Sequence, residues 1–229
     1  MKTEPPHAAE DGAPIARSRW FRPAILLLSL AIVAAGALLA LQLRESPREM
    51  ARGVFGGAVG GPFRLTDQDG KTIADTDLRG KWLLVYFGYT HCADLCPTGL
   101  TAMATALDQI GDAAAHIQPL FVTVDPERDK GPLLRDFTQS FDPRLIGLGG
   151  TVEQIREAAA ALGVTFEKVA QNSGYSIDHS STYTLVDPAR SRAVVLRLAE
   201  PHMIAARLIE ELAKAGVPLD TVNNVEAYR

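Results

Sequence analysis

The 229-residue sequence contains very little cysteine, since Cys92 and Cys96 are its only two. Two thiols are too few for a disulfide scaffold and too few for a structural zinc site. The sequence also lacks a basic run interleaved with aromatic residues, and its formal net charge is -4, which argues against nucleic-acid binding. The two cysteines are therefore either a redox couple or metal ligands, and their closeness in the chain favours a joint role.

The N-terminal region contains a long stretch without charge. Residues 23–43 are apolar and numerous enough to cross a bilayer as a helix. We predict a transmembrane anchor there, preceded by a disordered tail at 1–22 and followed by a Gly-rich linker at 44–61. A cleavable signal peptide is the alternative, although its apolar part usually has only about 7–15 residues. Arginines flank the stretch equally on both sides, so charge does not fix which side the following domain faces.

Predicted strands and helices alternate through the next region, 62–217. Apolar runs at Trp82–Gly88 and 117–125 predict strands buried on both faces, and Pro97 suits the first turn of the helix between them. Another strand is predicted at "VTFEKVA", and "STYTLVDPARSRAVVLRL" predicts an antiparallel hairpin turned at "DPAR". This order predicts an α/β fold, a thioredoxin-like sandwich with a mainly parallel central sheet and a late antiparallel hairpin, before a C-terminal tail at 218–229.

The two cysteines lie where α/β sheets place their sites, beyond the carboxyl end of a central strand. They lie around the start of the next helix, and where the segment is helical their spacing puts them on one face; a helix N-terminus also lowers the pKa of a thiol. Both sulfurs should then be available as thiolates, which can join as a disulfide or bind a soft metal. A thiolate pair suits Cu(I), and an added imidazole lets the same site tolerate Cu(II).

A copper site with two cysteines needs a third donor, and His179 is the histidine best placed to supply it. It immediately precedes the predicted hairpin, whose first strand begins at the cysteine end of the sheet if it runs antiparallel to the cysteine-bearing strand. The alternative is a loop histidine bonded to a backbone carbonyl. The other histidines are less suited: His7 precedes the anchor, His91 adjoins a cysteine and should point elsewhere, His116 lies at the opposite end of the sheet, and His202 opens the last helix.

Several carboxylates lie close to these residues in the sequence. Asp94 lies between the cysteines and Asp178 beside the histidine, where each could tune a metal site through hydrogen bonds to its ligands. Their alternative roles are a helix-start charge and an ordinary loop carboxylate. The acidic segment "DPERD", Asp125 to Asp129, follows a strand at the same end of the sheet, and it is either a partner surface or an ordinary acidic turn.

The segments "FGYTHCADLCP", "VTVDPERD", "LIGLGGT" and "YSIDHSSTYTLVDP" together resemble the Sco/SenC family of copper proteins. The resemblance implies a membrane-tethered thioredoxin fold that holds one copper through Cys92, Cys96 and His179. It also implies a role in assembling the binuclear copper centre of cytochrome c oxidase subunit II, with that subunit and a copper donor protein as partners. The short segment before His179 and the absence of a targeting pattern favour a bacterial member, a single-pass protein of the inner membrane with its domain facing the periplasm.

Two functional hypotheses remain open at this point. The first is a copper chaperone, and the second is a thiol–disulfide oxidoreductase that keeps client cysteines reduced through the same cysteine pair. A peroxidase is a weaker third idea, suggested by the "FRLTDQDG" segment. Thioredoxin-type enzymes usually place a proline before the strand that faces their cysteines, whereas this sequence has Asp178-His179-Ser180 there. That difference favours a metallochaperone over an enzyme, without deciding whether Cu(I) or Cu(II) is the working form.

Overall fold

The computed structural model describes residues 62–172, 174–197 and 200–219. The predicted tail, anchor and linker, together spanning 1–61, lie outside these ranges, as does most of the predicted C-terminal tail. Within the described residues, no helix combines the length and the apolar character needed to span a membrane. The domain limits therefore stay predictions.

The described residues form nine strands and four α-helices. The strands are β1 Arg64–Asp67, β2 Thr72–Ala74, β3 Trp82–Gly88, β4 Ile117–Thr123, β5 Ile146–Gly149, β6 Phe166–Gln171, β7 Gly174–His179, β8 Tyr183–Val186 and β9 Ala193–Leu196. The helices are α1 Leu95–Gln109, α2 Gly131–Gln139, α3 Val152–Ala161 and α4 Pro201–Lys214, with 3₁₀ turns at Asp75–Leu78 and Gly111–His116.

Seven of the strands form one sheet in the order β2-β1-β5-β4-β3-β8-β9. Strand β3 is buried along its whole length, and β4 nearly so, as their continuous apolar sequences predict. Strands β3, β4 and β5 are parallel, while β8 runs antiparallel to β3. Helices α1 and α4 pack together, α2 packs on β5, and α3 packs on β1. The predicted α/β sandwich is therefore confirmed.

The predicted character of the sheet needs correction, because the sheet is mixed rather than mainly parallel. Only the three central strands are parallel, and each side of the sheet is completed by antiparallel strands. The early β1–β2 hairpin joins the edge at β5, and the late β8–β9 hairpin joins at β3. One hairpin that precedes β3 in the chain and one that follows β5 thus flank a short parallel core.

The strand predicted at "VTFEKVA" exists as β6, but it does not belong to the central sheet. It pairs with β7, which the sequence analysis did not identify, in a separate two-stranded hairpin. Five of the six residues of β6 are exposed, which explains why this strand does not continue the buried sheet. His179 is consequently the last residue of a strand rather than part of a loop.

Candidate metal centre

Cys96 lies within the first turn of α1, directly beyond the end of β3. Its side chain has no exposed surface, whereas Cys92 in the preceding loop is half-buried. The last residue of β3 makes room for the buried sulfur, since a Cβ on Gly88 would lie 2.8 Å from Cys96 Sγ. The two cysteines are also joined locally, because the Cys96 amide donates a hydrogen bond to Cys92 Sγ at 3.4 Å.

His179 reaches the same place from the end of β7, just before β8. Strand β8, which follows it, pairs antiparallel with β3 in a register that matches Tyr183 with Tyr86. The start of β8 therefore lies at the carboxyl end of β3, as the sequence argument requires. His179 Nε2 lies 3.4 Å from Cys96 Sγ, and one donor atom from each of Cys92, Cys96 and His179 lies within 4.8 Å of the others. The structure thus brings the predicted trio together, while their role as ligands stays a prediction.

The imidazole is oriented by a backbone contact and by two aromatic rings. His179 Nδ1 lies 3.3 Å from the carbonyl oxygen of Ser180, so a proton on Nδ1 leaves the Nε2 lone pair directed towards the sulfurs. The rings of Tyr86 and Tyr89 meet the imidazole edge-on, with centroids at 6.4 and 6.0 Å. The carbonyl contact that was the alternative to ligation is therefore present, and it is compatible with ligation through Nε2.

Burial governs the protonation of the site. It raises the pKa of the Cys96 thiol, and the hydrogen bond with Cys92 raises that pKa further. The expectation that both sulfurs would be thiolates is therefore wrong for Cys96, because burial removes water from its sulfur and disfavours the charged form. Burial also lowers the pKa of His179, which favours the neutral imidazole that a metal requires. A metal binding to Cys96 would have to displace a thiol proton.

Among the described residues, no other histidine belongs to this donor group. His91 is half exposed, and its Nδ1 lies 3.0 Å from Thr90 Oγ1 and 3.7 Å from Asp129 Oδ1. His116 ends a 3₁₀ turn before β4, at the end of the sheet opposite the cysteines, and His202 is exposed on α4. These placements agree with the sequence analysis, whereas His7 lies outside the described residues.

The carboxylates near the site divide into exposed and buried groups. Asp94 is exposed and makes no side-chain cap for α1. Asp178 is also exposed, and its charge opposes the dominant effect of burial on the pKa of His179. Asp125 and Asp129 are buried, with 2% and 3% of their surfaces accessible, so these two carboxylates are not part of an open partner surface.

Asp129 fixes the loop that leads to Cys92, a role that the sequence analysis did not identify. Its carboxylate accepts hydrogen bonds from the Thr90 amide at 2.8 Å, the Thr90 hydroxyl at 2.6 Å and the Thr123 hydroxyl at 2.6 Å. The available signal was positional, since "DPERD" follows a central strand at the cysteine end. Its contact with a residue 39 positions earlier was not visible in the sequence.

Fold and site together define an α/β protein of thioredoxin-like architecture with a Cys-Cys-His group that could hold a metal ion. Residues 52–215 match the family model described as SCO1/SenC. Because this match covers most of the chain, the protein belongs to the SCO1/SenC family.

Individual relatives agree with this assignment. The mitochondrial SCO1 homolog 1 of Arabidopsis thaliana is 41% identical over 133 residues, which make up 57% of this chain and 40% of that relative's length. The mitochondrial SCO2 protein of Saccharomyces cerevisiae is 36% identical over 207 residues, covering 88% of this chain and 69% of the relative. The structure of Bradyrhizobium japonicum ScoI with copper bound aligns with a TM-score of 0.61 at 38% identity, covering 67% of this chain and 99% of that one.

Proposed function

We propose that this protein is a copper chaperone that binds one copper ion through Cys92, Cys96 and His179. The observation that carries the proposal is the convergence of these donors within 4.8 Å, although the histidine follows Cys96 by 83 positions. Two thiolates and one imidazole form a soft donor set suited to copper. The copper-bound structure of the related Bradyrhizobium protein supports the choice of metal.

The copper would be cargo for the assembly of cytochrome c oxidase, and specifically for the binuclear centre of subunit II. The family resemblance supports this destination, and it also supports anchoring through 23–43 with the domain on the periplasmic side of a bacterial inner membrane. A copper donor protein would load the site. Cys92 is the more exposed of the two thiols, so a partner's ligand would reach the metal more easily from its side than from that of Cys96.

A thiol–disulfide oxidoreductase remains the second candidate, because both cysteines are free thiols and their sulfurs lie within 4.8 Å of each other. A disulfide needs a sulfur–sulfur distance of about 2 Å, so the side chains would have to move closer before joining. The two activities are compatible: a client disulfide that takes two electrons and two protons from the pair becomes two thiols, while Cys92 and Cys96 become a disulfide that no longer offers thiolate ligands. The redox state of the pair would then decide whether copper can be loaded.

The test is copper stoichiometry on purified full-length protein, measured with and without prior reduction. We expect one copper per reduced chain, and a sharp loss of affinity in His179→Ala because the metal retains only two donors. His202→Ala is the matched control, since that histidine is exposed and remote from the cysteines. An unchanged affinity in His179→Ala would remove His179 from the ligand set. Normal oxidase assembly at low copper in cells carrying Cys92→Ser would contradict the chaperone role.

A further inference from the structure

The β6–β7 hairpin that carries His179 is attached to the domain along one face. Its two strands pair with each other and with no other described strand, and an isolated two-stranded hairpin is marginally stable in water. Because side chains alternate along a strand, Tyr175, Ile177 and His179 share one face of β7. Ile177 is buried and the other two are half-buried, so this face packs against the domain. The position of His179 therefore depends on how this face is held.

Tyr175 is enclosed by charged groups. The guanidinium carbon of Arg128 lies 3.9 Å from the centre of the tyrosine ring, and Lys168 Nζ lies 3.7 Å from the same centre. The Tyr175 hydroxyl donates a hydrogen bond to Asp125 Oδ1 at 2.9 Å. Lys168 comes from the hairpin itself, whereas Arg128 and Asp125 come from the loop after β4. Tyr175 is thus a point where that loop holds the hairpin, beside the ion pair between Lys168 and Glu127 of the loop at 2.8 Å.

Arg128 is held with its guanidinium carbon over the ring. Its Nε atom pairs with the carboxylate of Asp125, and its Nη1 atom donates to the carbonyl oxygen of Tyr175 at 3.4 Å. The third nitrogen, Nη2, is shielded from solvent and has no hydrogen-bond partner among the described residues. The attraction between a cation and an aromatic ring is stronger when the cation is shielded from water, so the contact of Arg128 with the Tyr175 ring gains in strength. Arg128 also lies 5.8 Å from the ring centre of Tyr89, which in turn contacts the imidazole of His179.

The same loop holds the cysteine side of the site. Asp129, the neighbour of Arg128, accepts the hydrogen bonds from Thr90 that fix the segment leading to Cys92. The Asp129 amide also donates to the carbonyl oxygen of Asp125 at 2.9 Å, which closes the loop into a compact turn. Consecutive residues of one turn therefore hold the two parts of the donor group, the histidine hairpin and the cysteine segment.

We propose that the contact between Arg128 and Tyr175 positions His179 opposite the two cysteine sulfurs. Arg128 and Tyr175 are positioning residues, because neither supplies a donor atom to the metal. The inference rests on the proposed copper site, but it also predicts a property of the metal-free protein. Without this contact the hairpin keeps the packing of Ile177 and Phe166 and the ion pair between Lys168 and Glu127, and the imidazole samples positions farther from Cys96.

The central variant is Tyr175→Ala in purified full-length protein, with Tyr175→Phe as the conservative variant that keeps the ring between the two cations. Val169→Ala is the matched control, because Val169 lies on the outward face of the same hairpin and is 37% exposed. The first measurement is the rate at which diethyl pyrocarbonate modifies His179 in the metal-free protein, followed by mass spectrometry. The exposed His202 provides the internal reference rate.

We expect His179 to react several-fold faster in Tyr175→Ala, while His202 is unchanged and Tyr175→Phe and Val169→Ala resemble the parent. In the copper-loaded protein, Tyr175→Ala should weaken the affinity by about tenfold, the usual lower range for removing support from a metal ligand. Nitrogen hyperfine coupling from imidazole in the electron paramagnetic resonance spectrum of the Cu(II) form should weaken as well. Tyr175→Phe should restore both copper readouts.

Unchanged His179 reactivity in a folded Tyr175→Ala protein would overturn the proposal. If that variant fails to fold, the rate of His179 modification is measured in Arg128→Lys instead, because this variant keeps the positive charge but loses the flat guanidinium over the ring. A smaller acceleration of His179 modification is then expected, and no acceleration would overturn the proposal. If the parent binds no copper, the proposed function fails on its own, while the reactivity of His179 still decides whether the Arg128–Tyr175 contact positions the ring.

Discussion

Two replacements of Asp129 should show how much its hydrogen bonds and how much its negative charge contribute to the stability of the fold. In Asp129→Ala the Thr90 amide and the Thr123 hydroxyl lose their acceptor in a place where the carboxylate is only 3% exposed. Leaving such groups unpaired costs about 1–3 kcal/mol each, so we expect a loss of roughly 3 kcal/mol in the free energy of unfolding. For a domain of this size, that loss lowers the melting temperature by roughly 6–12 °C.

Asp129→Asn should be much milder, and the geometry explains why. Oδ2 accepts from the Thr90 amide and from the Thr123 hydroxyl, so the amide oxygen of asparagine can replace it. The asparagine NH₂ group would then face the Thr90 hydroxyl, which can turn its hydrogen towards His91 Nδ1 at 3.0 Å and accept from the amide. Only the charge is lost, and we expect a cost of about 1 kcal/mol.

Thermal and urea unfolding of the metal-free protein, followed by circular dichroism, measure both variants. Asp112→Ala is the control, because Asp112 is exposed at the other end of the sheet and its removal should cost less than about 0.5 kcal/mol. The hydrogen-bond argument is wrong if Asp129→Ala is no more destabilising than this control. Equal losses in Asp129→Asn and Asp129→Ala would instead refute the proposed rotation of the Thr90 hydroxyl.

Two further predictions concern the space around Cys96 and the response of the fold to acid. Gly88→Ala should lower the free energy of unfolding by about 1–3 kcal/mol and weaken copper binding, because its Cβ would lie 2.8 Å from Cys96 Sγ. The control Gly149→Ala should have a small effect, since its Cβ meets nothing closer than 3.5 Å. Effects of equal size for the two variants in urea unfolding and copper titration would contradict this explanation. Burial alone would raise the pKa of Glu211, but the ion pairs with Arg192, Arg207 and Lys214 outweigh burial and leave that pKa below its ordinary value. Glu211 therefore stabilises the fold fully above the ordinary glutamate pKa of about 4.3. As the pH falls from there towards the lowered folded-state pKa, the difference in free energy of unfolding between the parent and Glu211→Gln should shrink. A difference that widens on acidification would show that the sign is wrong.

The elements that the sequence predicted well are those with a strong local signal. The uninterrupted apolar run of β3 has the predicted bounds, and α1 begins two residues before Pro97, which lies in its first turn. The place of His179 followed from the antiparallel pairing of β8 with β3. Each of these inferences needed only periodicity, proline and the direction of strands, and these properties are readable along the chain.

The features that the sequence analysis missed depend on contacts between distant residues. Strand β7 has a polar sequence whose one buried residue is Ile177, so its pattern does not identify it as a strand. The raised pKa of the Cys96 thiol follows from burial, which a position beside a helix start does not reveal. The contact between Arg128 and Tyr175 joins residues 47 positions apart. Periodicity carries no information about such pairings, and only the folded chain shows them.

Cys96 serves the hydrophobic core as well as the donor group, because its side chain has no exposed surface and lies in one cluster with Phe87 and Leu100. Cys92 is only partly buried and packs at the margin of that cluster. Selection on folding alone would therefore preserve a small, weakly polar side chain at position 96 in descendants that no longer handle metal, while position 92 would be free to vary. In a lineage that loses this chemistry, the first trace of the loss should appear at position 92.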